Sequence, residues 1–127
     1  MRRIIRTPNA PSAIGAYSQG VIYDDRLIFT AGQLGIDPAT GELAAGGAGA
    51  QAEQAMKNIR AILEAGGSSL DRVLKTTIYL ANIGDFAEVN EVYARFFSSD
   101  PPARSAFQVA ALPKRALVEI ECVAEVK

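Results

Sequence analysis

Alternation dominates the C-terminal end of the chain. In residues 117–126, LVEIECVAEV, the residues Val118, Ile120, Cys122, Ala124 and Val126 fall on one face of an extended strand. Leu117, Glu119, Glu121, Val123 and Glu125 fall on the other. The first set predicts a core face, and its register is firm, because a one-residue slip would bury the three carboxylates. Upstream, a second run sets Arg104, Ala106 and Gln108 against Ser105, Phe107 and Val109. The two runs flank Leu112-Pro113-Lys114-Arg115 and read as a hairpin over 103–121. Such a hairpin would show an arginine and a row of glutamates on its non-core face.

The same patterning divides the rest of the chain. Arg3-Ile4-Ile5-Arg6 reads as a short first strand, ended by Thr7-Pro8-Asn9-Ala10-Pro11. Two strands follow, about 19–24 and 26–32, joined at Asp24-Asp25. The second carries apolar residues on both faces, as a strand covered on both sides does. Asp37 to Glu42 is a turn, with Pro38 and Gly41 where tight turns favour them. A helix over 49–65 follows from Ala52, Ala55, Met56, Ile59, Ile62 and Leu63, and Gly66-Gly67 stops it. The stretch VLKTTIYLAN contains a strand. Asp85 with Glu88 has the spacing of a capping box for a second helix, whose stripe is Phe86, Val89, Tyr93, Phe96 and Phe97.

The order β-β-β-α-β-α-β-β, with two amphipathic helices, implies an α+β fold: a mixed sheet with both helices packed on one face. The uncovered face would hold Glu119 and Glu121 together with Leu117 and Val123, a mixture that points to oligomerisation through it. No linker, repeat or low-complexity tail interrupts residues 1–127, which read as a single domain.

Composition narrows the chemistry. About half of the 127 residues are apolar and a fifth charged, with a net charge of −1 and no Lys/Arg run longer than two. No nucleic-acid footprint follows from that balance. There is no histidine, so any acid–base chemistry falls to Glu, Asp, Arg, Tyr, Ser/Thr or backbone groups. The lone Cys122 lies on a core face and reads as structural. No signal-peptide pattern or membrane-length apolar run occurs, so a cytoplasmic location is the expectation. Neither metal-ligand spacing nor a phosphate loop is present; the glycines of GELAAGGAGA lack a following GK[ST].

Several side chains invite a site. Arg104, placed just after Pro101-Pro102-Ala103, suits a carboxylate taken bidentately, or else pairs with a surface glutamate. Glu119 and Glu121 are each a base toward water if partly desolvated, or solvated strand charges; periodicity does not choose between them. Tyr17, in a loop bracketed by Gly15 and Gly20, offers a hydroxyl to a ligand or packs the loop. Thr30 and Gly32, at a strand end, let backbone approach a ligand or simply bend the chain. Asn90 lies off the helix stripe and reads as a solvated polar residue.

Together these stretches resemble the RidA family, also called YjgF or the L-PSP endoribonuclease family. The matching pieces run in order over the chain: Asn9-Ala10-Pro11 with Ile14 to Gly20, Thr30-Ala31-Gly32-Gln33, Lys75-Thr76-Thr77, Val89-Asn90, Pro102-Ala103-Arg104-Ser105, Leu112-Pro113-Lys114 and Val118-Glu119-Ile120-Glu121. The resemblance implies a chorismate-mutase-like fold and a homotrimer whose sheets form a central barrel, with clefts at the subunit boundaries. It implies hydrolysis of the enamine/imine class of 2-aminoacrylate and 2-iminopropanoate to 2-keto acids and ammonia, without cofactor or metal. Such intermediates are released by pyridoxal-phosphate-dependent dehydratases and damage related enzymes. Carried over by position, Arg104 would bind the substrate carboxylate, Glu119 rather than Glu121 would activate water, and Tyr17 would contact the imine or the water. Gly32, Ala31, Asn90 and the backbone at Ala106 would complete the pocket. Many members have Cys at the position of Ala106 and Ser at that of Ala31, departures that bear on rate and substrate preference. Two other readings stand beside this one: a ribonuclease or translation inhibitor, and a non-catalytic trimer that binds small carboxylates or acts as a chaperone.

Overall fold

The computed structural model describes residues 1–127. Its strands are β1 (Arg2–Ile5), β2 (Gly20–Tyr23), β3 (Leu27–Thr30), β4 (Gln33–Leu34), β5 (Val73–Leu80), β6 (Ala103–Gln108) and β7 (Val118–Glu125). The helices are α1 (Gly47–Ala65) and α2 (Phe86–Ala94). All strands join one mixed sheet in the order β1-β2-β3-β7-β5-β6, and the short β4, unread in the sequence, also pairs with β7. The β2–β3 turn falls at Asp24-Asp25 as expected, with both residues at positive φ. No helix is long and apolar enough to cross a membrane.

Strand β7 is the sheet's centre, in the register its alternation dictates. Val118, Ile120, Cys122 and Ala124 are buried against the helices, while Glu119, Glu121 and Val123 lie on the other face. The stripe of α1 is buried throughout, from Ala52 to Leu63. The helix ends in a Schellman arrangement: Ser68 N–H donates to the Leu63 carbonyl and Gly67 N–H to that of Glu64, with Gly67 at φ 84°. Both helices cover one face. The other is open within the chain, and Phe29, Tyr23 and Phe107 are about half exposed on it. The apolar second face of β3 is therefore uncovered by any part of its own chain.

Two local expectations are corrected. The hairpin over 103–121 does not form. β6 is reached from β5 through α2, and a strand returned by a helical crossover pairs in parallel. It therefore takes the outer side of β5 (Thr76 opposite Arg104, Ile78 opposite Ala106), while β7 takes the inner side antiparallel. Consequently Arg104 lies on the helix face of the sheet, opposite to Glu119. The capping box does not form either. A 3-10 turn over Ile83–Asp85 runs directly into α2, so Asp85 already has helical dihedrals, and Asn82 caps instead by accepting from Gly84 N–H at 2.8 Å. The Glu88 carboxylate turns to α1, accepting from Gly49 N–H at 2.8 Å.

Asn58, fully buried on α1, fixes the segment after β3. Its Nδ2 donates to the carbonyls of Leu34 (3.2 Å) and Ile36 (2.9 Å), and its Oδ1 accepts from Gln54 Nε2. Asn58→Ala leaves both carbonyls without their donor. It should cost about 2–3 kcal/mol, read as a lower urea midpoint with an unchanged slope.

Candidate functional site

The first cluster grows from a bulge. The β3–β7 ladder ends at Phe29 opposite Val123 and resumes in β4 at Gln33 opposite Ile120. Three residues, Thr30, Ala31 and Gly32, therefore span two positions of β7, as in a bulge. The Thr30 hydroxyl replaces a ladder carbonyl by accepting from Cys122 N–H at 3.0 Å. Ala31 N–H donates to the Gln19 carbonyl at 2.8 Å. The bulge brings Gly32 onto the side chain of Glu119, where a Cβ would lie 2.8 Å from Glu119 Cδ. A side chain at this position would push the Glu119 carboxylate aside.

Glu119 is partly buried, and none of the chain's ion pairs involves it. Burial raises its pKa above the ordinary carboxylate value, and the like charge of Glu121, two residues along the same face, adds to the rise. The surroundings thus distinguish the two glutamates that periodicity left equivalent: Glu119 lines a cleft, Glu121 does not.

That cleft has a volume of about 660 Å³. Its lining comes from the Pro11–Tyr17 loop, the bulge and the segment after it (Ala31, Gly32, Leu34, Ile36), and Pro113, Lys114 and Glu119. Tyr17 is half exposed at the rim. Its loop is clamped by buried Gln19, whose Oε1 accepts from Thr7 N–H at 2.7 Å and whose Nε2 donates to the carbonyls of Thr7 and Pro11 at 3.0 and 2.8 Å. Gln19 and Lys114 were not singled out from the sequence. Gln19 carries a legible signal, a polar residue adjoining a strand that begins in the core. Lys114 shares the Leu112-Pro113-Lys114 piece.

The second cluster is on the helix face of the sheet edge. The Arg104 guanidinium lies over the rings of Phe86 and Tyr93, 5.2 and 5.1 Å from their centroids. Its Nη1 donates to Asn90 Oδ1 at 2.6 Å. Asn90 is therefore a ligand of Arg104 rather than a bystander. Tyr93 is itself fixed by a 2.8 Å hydrogen bond between its hydroxyl and that of Thr76. Arg104 is exposed and belongs to none of the ion pairs, which removes the reading of a surface arginine paired with a glutamate. The result is a preoriented cation with open donors. Ala106 follows two residues along the same face. One protomer thus unites Tyr17, Ala31, Gly32 and Glu119, and separately Arg104, Asn90 and Ala106, but it does not bring the two groups together.

The family model described as Endoribonuclease L-PSP matches residues 7–126. The chain belongs to this family. It is 52% identical over 124 residues to the 2-iminobutanoate/2-iminopropanoate deaminase of Homo sapiens, covering 98% of this chain and 90% of that one. Among solved structures it is similar to RidA from an Antarctic Psychrobacter, with a TM-score of 0.93 and 48% identity over 98% of this chain and 99% of that one. It is also similar to E. coli TdcF with bound serine, with a TM-score of 0.93 and 41% identity over 98% and 99%. The chorismate-mutase-like fold expected of the family is the fold observed.

Proposed function

We propose that this member of the L-PSP family hydrolyses small 2-imino acids, and their enamine tautomers, to 2-keto acids and ammonia. The observation that carries the reading is Glu119: a carboxylate without a cation partner, lodged against Gly32 in a cleft, its pKa raised by partial burial. A base of raised pKa is suited to take a proton from water near neutral pH. The imine carbon is already electrophilic, so positioning and one base suffice.

In this reading Arg104 takes the substrate carboxylate bidentately, with Asn90 and the two rings holding the guanidinium in plane. Glu119 takes one proton from water as its oxygen adds to the C=N carbon and passes it to the nitrogen, giving the carbinolamine; it then takes the hydroxyl proton and delivers it to the nitrogen as the carbinolamine collapses. The C–N bond breaks, C=O forms and ammonia leaves. Tyr17 contributes its hydroxyl at the rim, and Ala31, Gly32 and Ala106 contribute backbone. Serine, bound in the TdcF structure, has the same α-carboxylate and α-nitrogen as these imines.

Because one protomer separates the two clusters, we assign the complete site to the boundary between neighbouring copies. The open sheet face with its half-exposed Phe29 and Phe107 supports a homotrimer closed through that face, and light scattering tests it. The expected setting is the cytoplasm, beside the pyridoxal-phosphate-dependent dehydratases that release such imines.

The test couples threonine dehydratase to semicarbazide trapping, with and without the protein. Less trapped imine with it supports the deaminase; no difference from an assembled oligomer overturns it. A second expectation concerns pH. Glu121→Gln removes the like charge that helps to raise Glu119, so Glu119 stays ionised further into acid. The acid limb of the kcat/KM profile should move to lower pH, with the plateau little changed.

A further inference from the structure

We propose that Lys114 is a specificity residue that admits anionic substrates to the Glu119 cleft, an inference that rests on the deaminase reading above. Glu119 and Lys114 are the two charged side chains lining that cleft. Lys114, like Glu119, takes part in none of the ion pairs. Its ammonium is therefore available to something that is not part of this chain.

The backbone gives a second, independent observation. Lys114 and Arg115 both lie in the left-handed region, at φ 57° and 55°. A Cβ is crowded there, and glycine or asparagine is the usual occupant. The turn is closed by Ala116 N–H donating to the Pro113 carbonyl at 3.0 Å. Strained conformations of non-glycine residues persist where surroundings over-determine them, and they gather at ligand sites. This one sets Lys114, beside Pro113, on the cleft wall, while Arg115 does not line it. Glycine would relieve the strain and lose the ammonium.

The chemistry supplies the task. A 2-imino or 2-keto acid arrives as a carboxylate, and Glu119, ionised to serve as base, repels it in a cleft where solvent screening is reduced. A cation in the lining of the same cleft offsets that repulsion and raises the local concentration of the anion before Arg104 captures it. Lys114 acts on arrival and not on bond making. Its effect belongs in KM and in the salt dependence, while kcat is spared.

The experiment measures hydrolysis of dehydratase-generated 2-iminobutanoate across ionic strengths for wild type, Lys114→Met and Lys114→Arg, with calorimetric binding of 2-oxobutanoate beside it. Methionine keeps an apolar stem and the strain of a non-glycine residue, so the folds are comparable. Lys114→Met should raise KM about 5- to 10-fold, hold kcat within about twofold and flatten the salt dependence, and Lys114→Arg should restore all three. An unchanged KM and salt slope in Lys114→Met would overturn the proposal while leaving the deaminase intact, as would a loss confined to kcat. An inactive wild type would instead overturn the deaminase reading. The 2-oxobutanoate affinities then decide Lys114 alone: binding weakened about fivefold by Lys114→Met retains its role, and equal affinities remove it.

Discussion

Arg104→Ala is expected to reduce kcat/KM for imine hydrolysis by roughly 10²- to 10³-fold, the consequence of losing about 2–5 kcal/mol of charge-assisted pairing to the substrate carboxylate. The guanidinium has no partner within the chain except Asn90 and the two rings, so little else is disturbed when it goes. Thermal stability and assembly should change slightly. Arg104→Lys keeps the charge and loses the planar fork, and should fall between the two. The coupled dehydratase assay measures all three proteins. Near-wild-type turnover by Arg104→Ala would remove the anchor from the site.

Glu119→Gln is expected to lower kcat by about 10²- to 10⁴-fold, the range in which a positioned base contributes. The variant is nearly isosteric, so the close packing on Gly32 persists. Its stability should rise, because a carboxylate whose pKa is raised by burial destabilises the fold when ionised. The sign follows from the raised pKa. Ionisation is disfavoured in the folded state relative to the unfolded, so the wild type loses stability as pH climbs through the pKa of Glu119. The variant should be spared that loss. Reduced activity together with a higher melting temperature at neutral pH separates a removed base from a damaged fold. Activity that survived in Glu119→Gln would shift the base elsewhere, with Glu121 as the nearest carboxylate.

Much of the architecture was legible because it is written in periodicity. The stripe of α1 and the alternation of β7 are burial patterns, and the core they predict is the core observed. Asp24-Asp25 turned where acidic residues tolerate positive φ. The errors share another origin. Whether β6 pairs with β7 in a hairpin or with β5 in parallel turns on the α2 crossover, which returns the chain along the outer edge of β5, and alternation is the same in both cases. Asp85 and Glu88 had capping-box spacing, yet the preceding 3-10 turn left Asp85 with helical dihedrals and no capping bond, and Glu88 accepts from Gly49 instead.

The site divides along the same line. By itself the sequence determined the residue types available: no histidine, one arginine after Pro101-Pro102-Ala103, paired glutamates on one strand face, and the family to which they belong. The family motif pointed to Glu119 over Glu121, and the tertiary structure supplied the physical reason, since Glu119 lines the cleft against Gly32 and Glu121 does not. Only the tertiary structure decided that Arg104 and Glu119 occupy opposite faces of one sheet. Local periodicity is a property of adjacent residues, carried by backbone geometry. Burial, pKa and the meeting of distant side chains depend on the order of strands across the sheet, which long-range pairing alone settles.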